Sequence, residues 1–192
     1  MKKIIIFVSI FIISLNAKEY IKVAVLSTSY GKIEIELFPK LSPMTVNNFY
    51  SLASIGYFNG VIFHRISKNF VIQTGDPTGT GEGGSSIFGK EFADEIDTNN
   101  VIYKEGYKRG IVAMANAGPN TNTSQFFIML SDRPQMPRKY TIIGKVIKGM
   151  DVVDKISQTE IDPKKINFNR KTDGKPIKDI FIERIIFKEI TK

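Results

Sequence analysis

Short runs of alternating apolar and polar residues, each ended by turn-forming Gly, Ser or Pro, constrain this chain more than any other feature. Residues 22–26 and 32–37 both alternate, with Ser-Thr-Ser-Tyr-Gly between them. A period of two sends successive side chains to opposite faces of a strand, so the pair reads as a β-hairpin with one wet face. Val23, Val25, Ile33, Ile35 and Leu37 are expected on the buried face, and Lys22, Lys32, Glu34 and Glu36 on the wet one. Further strands are expected at residues 61–66, 70–74, 111–115, 125–130 and 141–147. A last strand, 177–187, slips phase near Glu183-Arg184, the signature of a bulge.

Two helices interrupt this pattern. Ser42 is expected as an N-cap with Pro43 at the first helical position; Val46, Phe49, Tyr50 and Ala53 recur at helical spacing, and Gly56 ends the run. Residues 150–157 read as a second, shorter helix. The segment 162–176 carries five basic and two acidic residues and reads as a solvated loop before the closing strand. About eight short strands and two helices fit either an antiparallel sandwich or a closed barrel, in which closure removes exposed edges.

The first 17 residues are of another kind. Lys2 and Lys3 precede a nearly unbroken apolar run from Ile4 to Leu15, and Ala17 is a small residue suited to cleavage. This is the pattern of a secretory signal peptide, and the run is shorter than the roughly 20 residues of a membrane span. An uncleaved anchor is the alternative, since Leu15 is large for its place before the cleavage site. The expectation is therefore a signal peptide over 1–17, one domain over 18–192, and a periplasmic destination, with a membrane-anchored form as the second choice. Without Lys2 and Lys3 the formal net charge falls from +8 to +6. Basic and aromatic residues do not interleave as in nucleic-acid binders, so no nucleic-acid partner is expected. The chain has no Cys, so disulfides and a lipidated cysteine are excluded and stability rests on a packed core.

Two blocks carry the chemistry. Residues 114–128 read Met-Ala-Asn-Ala-Gly-Pro-Asn-Thr-Asn-Thr-Ser-Gln-Phe-Phe-Ile. About fifty residues earlier stands Phe63-His64-Arg65, followed by Phe70 and Gln73. Other readings fail on context. Gly79 to Gly84 matches G-x-G-x-x-G, yet no helical periodicity follows it, so nucleotide binding is rejected. A triad of Ser124 and His64 lacks a nucleophile elbow. One His and no Cys argue against a transition-metal site.

Together the two blocks closely resemble the cyclophilin family of peptidyl-prolyl cis/trans isomerases, and the resemblance runs from about Val23 to Phe187. It implies a mainly β fold: a closed eight-stranded antiparallel β-barrel capped by two α-helices. It also implies a reaction without nucleophile, metal or cofactor. Rotation about an X–Pro bond faces a barrier of roughly 18–20 kcal/mol set by amide resonance. Twisting the amide returns a lone pair to the proline nitrogen, so a site that prefers the twisted form needs a hydrogen-bond donor beside an apolar pocket. Arg65 is the implied donor, and one charge-assisted bond of about 1.5–3 kcal/mol would give roughly 10- to 150-fold.

By the same resemblance, Gln73 orients Arg65, and Phe70, Val71, Phe127 and Met136 line the proline pocket. Asn116 clamps the residue before proline through its backbone, between Ala115 and Ala117, while Gln125 and Gly81 flank the next subsite. His64 is expected to be hydrogen-bonded beneath the site, since C–N rotation moves no proton. The family's frequent tryptophan aligns with Gln135 and its frequent histidine with Tyr140, as in the bacterial branch. Loss of the indole implies weak cyclosporin binding. The expected partners are proline-containing unfolded or flexible polypeptides, handled by a monomer during the folding of exported proteins. A proline-binding scaffold is the rival reading, although binding alone would have no need of Arg65.

Overall fold

Strand β1 (Tyr20–Thr28) folds back onto β2 (Gly31–Leu37) through a tight turn in which the Thr28 hydroxyl donates to the Gly31 carbonyl at 2.7 Å. In this computed structural model residues 20–162 and 172–191 are described. The expected signal segment 1–17, and residues 163–171 of the basic loop, lie outside them. Pairing puts Ala24 opposite Ile35 and Leu26 opposite Ile33, so these four share the core face. The expected placement of Val23 and Val25 is therefore corrected. They lie on the other face, opposite Glu36 and Glu34, yet both are buried. A hairpin in which Val23, Ala24, Val25 and Leu26 are all apolar gives alternation no way to choose the inner face.

The chain continues through α1 (Pro43–Ser54), β3 (Arg65–Ser67), β4 (Val71–Thr74), α2 (Val101–Glu105), β5 (Ile111–Met114) and β6 (Phe126–Met129). It ends with β7 (Ile142–Lys148), α3 (Met150–Ser157), β8 (Ile161–Asp162), β9 (Asp173–Pro176) and β10 (Ile182–Thr191). The strands form one ten-stranded sheet in the order β10-β1-β2-β7-β5-β6-β4-β3-β9-β8. The count exceeds the expected eight because the predicted loop 162–176 contributes the short pair β8–β9. The ladder order is open, ending at β10 and β8. Residues just before β3 meet the start of β10 through Phe63 N to Ile180 O at 2.9 Å and Ile182 N to Val61 O at 2.8 Å. The expected bulge is present: Ser27 faces Arg184 but Thr28 faces Ile182, which leaves Glu183 unopposed.

Helix α1 keeps Pro43 in its first turn, but Ser42 does not cap it. The Ser42 hydroxyl donates instead to the Ile142 carbonyl at 2.8 Å. The cap comes from Glu95, whose carboxylate accepts from Met44 N at 3.1 Å and from Thr45 N and Oγ1 at 2.7 Å each. An acidic group is favoured there because the first-turn N–H groups lack partners within the helix. Val46, Phe49 and Ala53 are buried as expected, while Tyr50 is exposed. A third helix, α2, goes beyond the two expected. Its five residues are too few to show periodicity, and Asn100 caps it by accepting from Ile102 N.

Strand β6 explains where the site lies. Phe126 and Ile128 point into the main core, where Phe126 meets Phe49 edge-on at 5.4 Å. Phe127 and Met129 point the opposite way into a second cluster with Val71, Ala113, Tyr103, Tyr107 and Ile142. All four β6 residues are buried, so the sheet carries apolar packing on both faces. Phe70, Ala115, Met136 and Tyr140 lie half-buried at the rim of the second cluster.

Candidate functional site

Register alone assembles the central row of side chains. Arg65 lies opposite Gln73 in the β3–β4 ladder, and Gln73 lies opposite Phe127 in the β4–β6 ladder. Ala113 in turn lies opposite Phe127. Directly opposed residues share a face, so Arg65, Gln73 and Phe127 stand side by side on the outer face of the sheet. The turn between β3 and β4 is closed by Asn69 at φ +61°, a conformation Asn tolerates better than most residues. That turn delivers Phe70 to the same side.

Polar side chains run along this row as a relay. Arg65 Nη1 donates to Gln73 Oε1 at 3.0 Å, and Gln73 Nε2 donates to Gln125 Oε1 at 2.8 Å. Gln125 Nε2 then donates to the carbonyls of Gly81 at 2.9 Å and Gly83 at 2.7 Å. Behind Arg65, Asp173 accepts from Nε at 2.9 Å and from Nη2 at 2.7 Å. The loop that receives Gln125 is wound around the buried Asp76. Its carboxylate accepts from Thr78 N, Thr80 N, Gly81 N and Gly83 N. Burial alone would raise the Asp76 carboxyl, but the bonds from Thr78, Gly81 and Gly83 outweigh it and hold it below its ordinary value. Of the glycines of the G-x-G-x-x-G match, Gly81 thus gives its amide to an internal carboxylate and Gly79 gives its amide to the Asp76 carbonyl, and the next helix, α2, begins only at Val101.

A groove of about 850 Å³ runs over this row. Every predicted site residue lines it: His64, Arg65, Phe70, Val71, Gln73, Gly81, Ala115, Asn116, Ala117, Gln125, Phe127, Met136 and Tyr140. The apolar end is walled by Phe127, against which the Tyr140 ring stands edge-on at 5.4 Å. The Tyr107 hydroxyl pins Tyr140 from below, accepting from its N–H at 3.0 Å and donating to its carbonyl at 2.9 Å. Asn116 turns its side chain away to donate to the Lys139 carbonyl at 2.8 Å. His64 departs from expectation. It is buried, but neither ring nitrogen has a hydrogen-bond partner among the described residues. Burial pulls its pKa down to about 4, a fall that the Asp76 charge partly offsets. The ring is thus neutral at physiological pH and is not a cationic acid there.

Comparison with known proteins decides the family. Residues 23–186 match the family described as "Cyclophilin type peptidyl-prolyl cis-trans isomerase/CLD". The chain belongs to the cyclophilin family. It is a peptidyl-prolyl cis/trans isomerase. Peptidyl-prolyl cis-trans isomerase-like 3 of Rattus norvegicus is 46% identical over 160 residues, covering 83% of this chain and 92% of that protein. Peptidyl-prolyl cis-trans isomerase ppi1 of Schizosaccharomyces pombe is 52% identical over 137 residues, covering 71% of this chain and 86% of that protein. Among solved structures, a Cryptosporidium parvum cyclophilin type isomerase superposes with a TM-score of 0.77 at 39% identity. That match covers 88% of this chain and 98% of the parasite chain. A further structure of the parasite cyclophilin was determined in the presence of the dipeptide Ala-Pro, and it superposes with a TM-score of 0.76.

The cyclophilin site also holds residues that the sequence did not reveal. Asp76 stands in Asp-Pro-Thr-Gly, a turn signal that could have marked it as a loop organiser. Asp173 gave no signal at all, being one of two acids in a basic stretch read as solvated. Its side chain is in fact 2% exposed.

Proposed function

We propose that Arg65 accelerates X–Pro rotation by donating a hydrogen bond to the proline nitrogen as the amide twists. Phe70, Phe127, Met136 and the Tyr140 ring hold the proline, with Val71 packed behind them. One observation carries this reading: a guanidinium, bonded to Gln73 at 3.0 Å, stands in the same cross-strand row as the apolar Phe127 wall. Charge and greasy surface thus meet at one point, as the less polar twisted amide requires. The Asn116 backbone, whose groups form no hydrogen bond within the described residues, is the clamp for the residue before proline. The bonds joining residues 61–63 to 180–182 support reading the sheet as a closed barrel, which would hold this row rigid.

The substrates in this reading are proline-containing unfolded or flexible polypeptides. The apolar run from Ile4 to Leu15 after Lys2 and Lys3 supports export, so the clients are exported proteins. Refolding of a protein limited by proline isomerisation tests the reading. The slow phase, ordinarily tens to hundreds of seconds, should shorten as the isomerase is added. A slow phase that stays constant would exclude polypeptide substrates. Mass spectrometry of the exported protein should show a new N-terminus at Lys18, and an intact Met1 would exclude cleavage.

A further inference from the structure

We infer that Asp173 is a positioning residue for Arg65, holding the guanidinium in the orientation that the isomerisation step uses. The inference rests on the assignment of Arg65 as the donor and extends it to a residue from a distant segment. Asp173 opens β9, which pairs with β3 on the side away from β4. It lies opposite Ser67, two residues along from Arg65, and so shares the outer face with it. Arg65 is thereby flanked across both of its ladders, by Gln73 on β4 and by Asp173 on β9.

The two flanking residues constrain different motions. A single contact, Nη1 to Gln73 at 3.0 Å, leaves the guanidinium able to swing about that bond. The parallel contacts from Nε and Nη2 to the two carboxylate oxygens, at 2.9 Å and 2.7 Å, fix its plane. Side-chain exposures of 2% for Asp173 and 16% for Arg65 mean that little water competes for these bonds. A long, flexible arginine would otherwise have to be ordered in each turnover. A donor already aimed loses nothing to reorganisation when the amide twists. The carboxylate also keeps the Arg65 charge paired while the groove is empty, so the side chain is held before substrate arrives.

The alternative is that the pair merely docks β9 onto β3. A double-mutant cycle on the full chain separates the two, using a short X–Pro peptide and the variants Arg65→Ala, Asp173→Asn and both together. Asp173→Asn should lower kcat about tenfold with KM held within about threefold, because the Arg65 bond forms in the transition state. In the Arg65→Ala background the same substitution should change nothing further. Asp173→Asn within about twofold of wild type beside a slow Arg65→Ala overturns this inference alone, as does an equal slowing in both backgrounds. An Arg65→Ala rate equal to wild type overturns the donor assignment itself. A measurement on the unaltered protein guards against a variant that fails to fold. A fixed guanidinium should give Arg65 separate Nη proton resonances, and one averaged signal would overturn the inference.

Discussion

Gln73 faces Arg65 across the β3–β4 ladder, and its amide oxygen accepts from Arg65 Nη1 while its amide nitrogen donates to Gln125. The amide thus reads a cation on one side and a neutral acceptor on the other. Glutamate at this position would keep the bond to Arg65 but lose the donor for Gln125. Alanine would lose both. Gln73→Ala is expected to lower kcat/KM by roughly tenfold to a hundredfold, the loss of one bond to a charged group. Gln73→Glu should fall between alanine and wild type in the same peptide assay.

Phe127 is a wall of the groove and a member of the second cluster at once. It is buried, so removing its ring leaves a cavity as well as an open pocket. Phe127→Ala should cost about 3–5 kcal/mol in urea unfolding. It should also weaken peptide affinity together with turnover, and an unchanged dissociation constant would contradict the pocket assignment.

His64 makes stability depend on pH in a defined direction. Its folded pKa of about 4 lies below the ordinary 6.5, so the unfolded chain binds a proton that the folded one refuses. The contribution of this ring is fully present above pH 6.5 and is lost as pH drops toward 4. The loss attributable to this ring is about 3 kcal/mol. Urea midpoints measured across this window should drop for wild type and flatten for His64→Gln. Below that range protonation of Asp76, whose carboxyl is held low by its loop amides, should add a further loss.

Glu95 caps α1 from a distant segment through three hydrogen bonds. Glu95→Ala should lower stability by about 1–2 kcal/mol, as loss of a helix cap does. Ser42→Ala should not show a cap effect, because its hydroxyl serves the Ile142 carbonyl instead. Chemical unfolding of the two variants checks the contrast.

These cases show what was legible in the sequence. The site residues of both blocks could be named beforehand because the two motifs resemble the cyclophilin family, and the strand register of the fold then stacks Arg65, Gln73 and Phe127. The bulge at Glu183 was visible as a slip in phase. What stayed hidden depends on partners far along the chain. Ser42 looked like a cap because local chemistry allows it, and only the fold brings Glu95 closer to the task. Val23 and Val25 were put on the wrong face because four consecutive apolar residues fit either side. Asp173 looked solvated because its neighbours are basic, and its burial follows from pairing of β9 with β3. His64 was expected to be hydrogen-bonded, and no sequence pattern shows that both ring nitrogens lack hydrogen-bond partners among the described residues.

The most direct test of the account compares wild type with Arg65→Ala, measuring turnover at saturating X–Pro peptide and peptide affinity separately. If Arg65 bonds the twisted amide, kcat should fall roughly 10- to 150-fold while the dissociation constant stays within about threefold. Equal turnover in the two proteins, or a loss wholly explained by weaker binding, would contradict it.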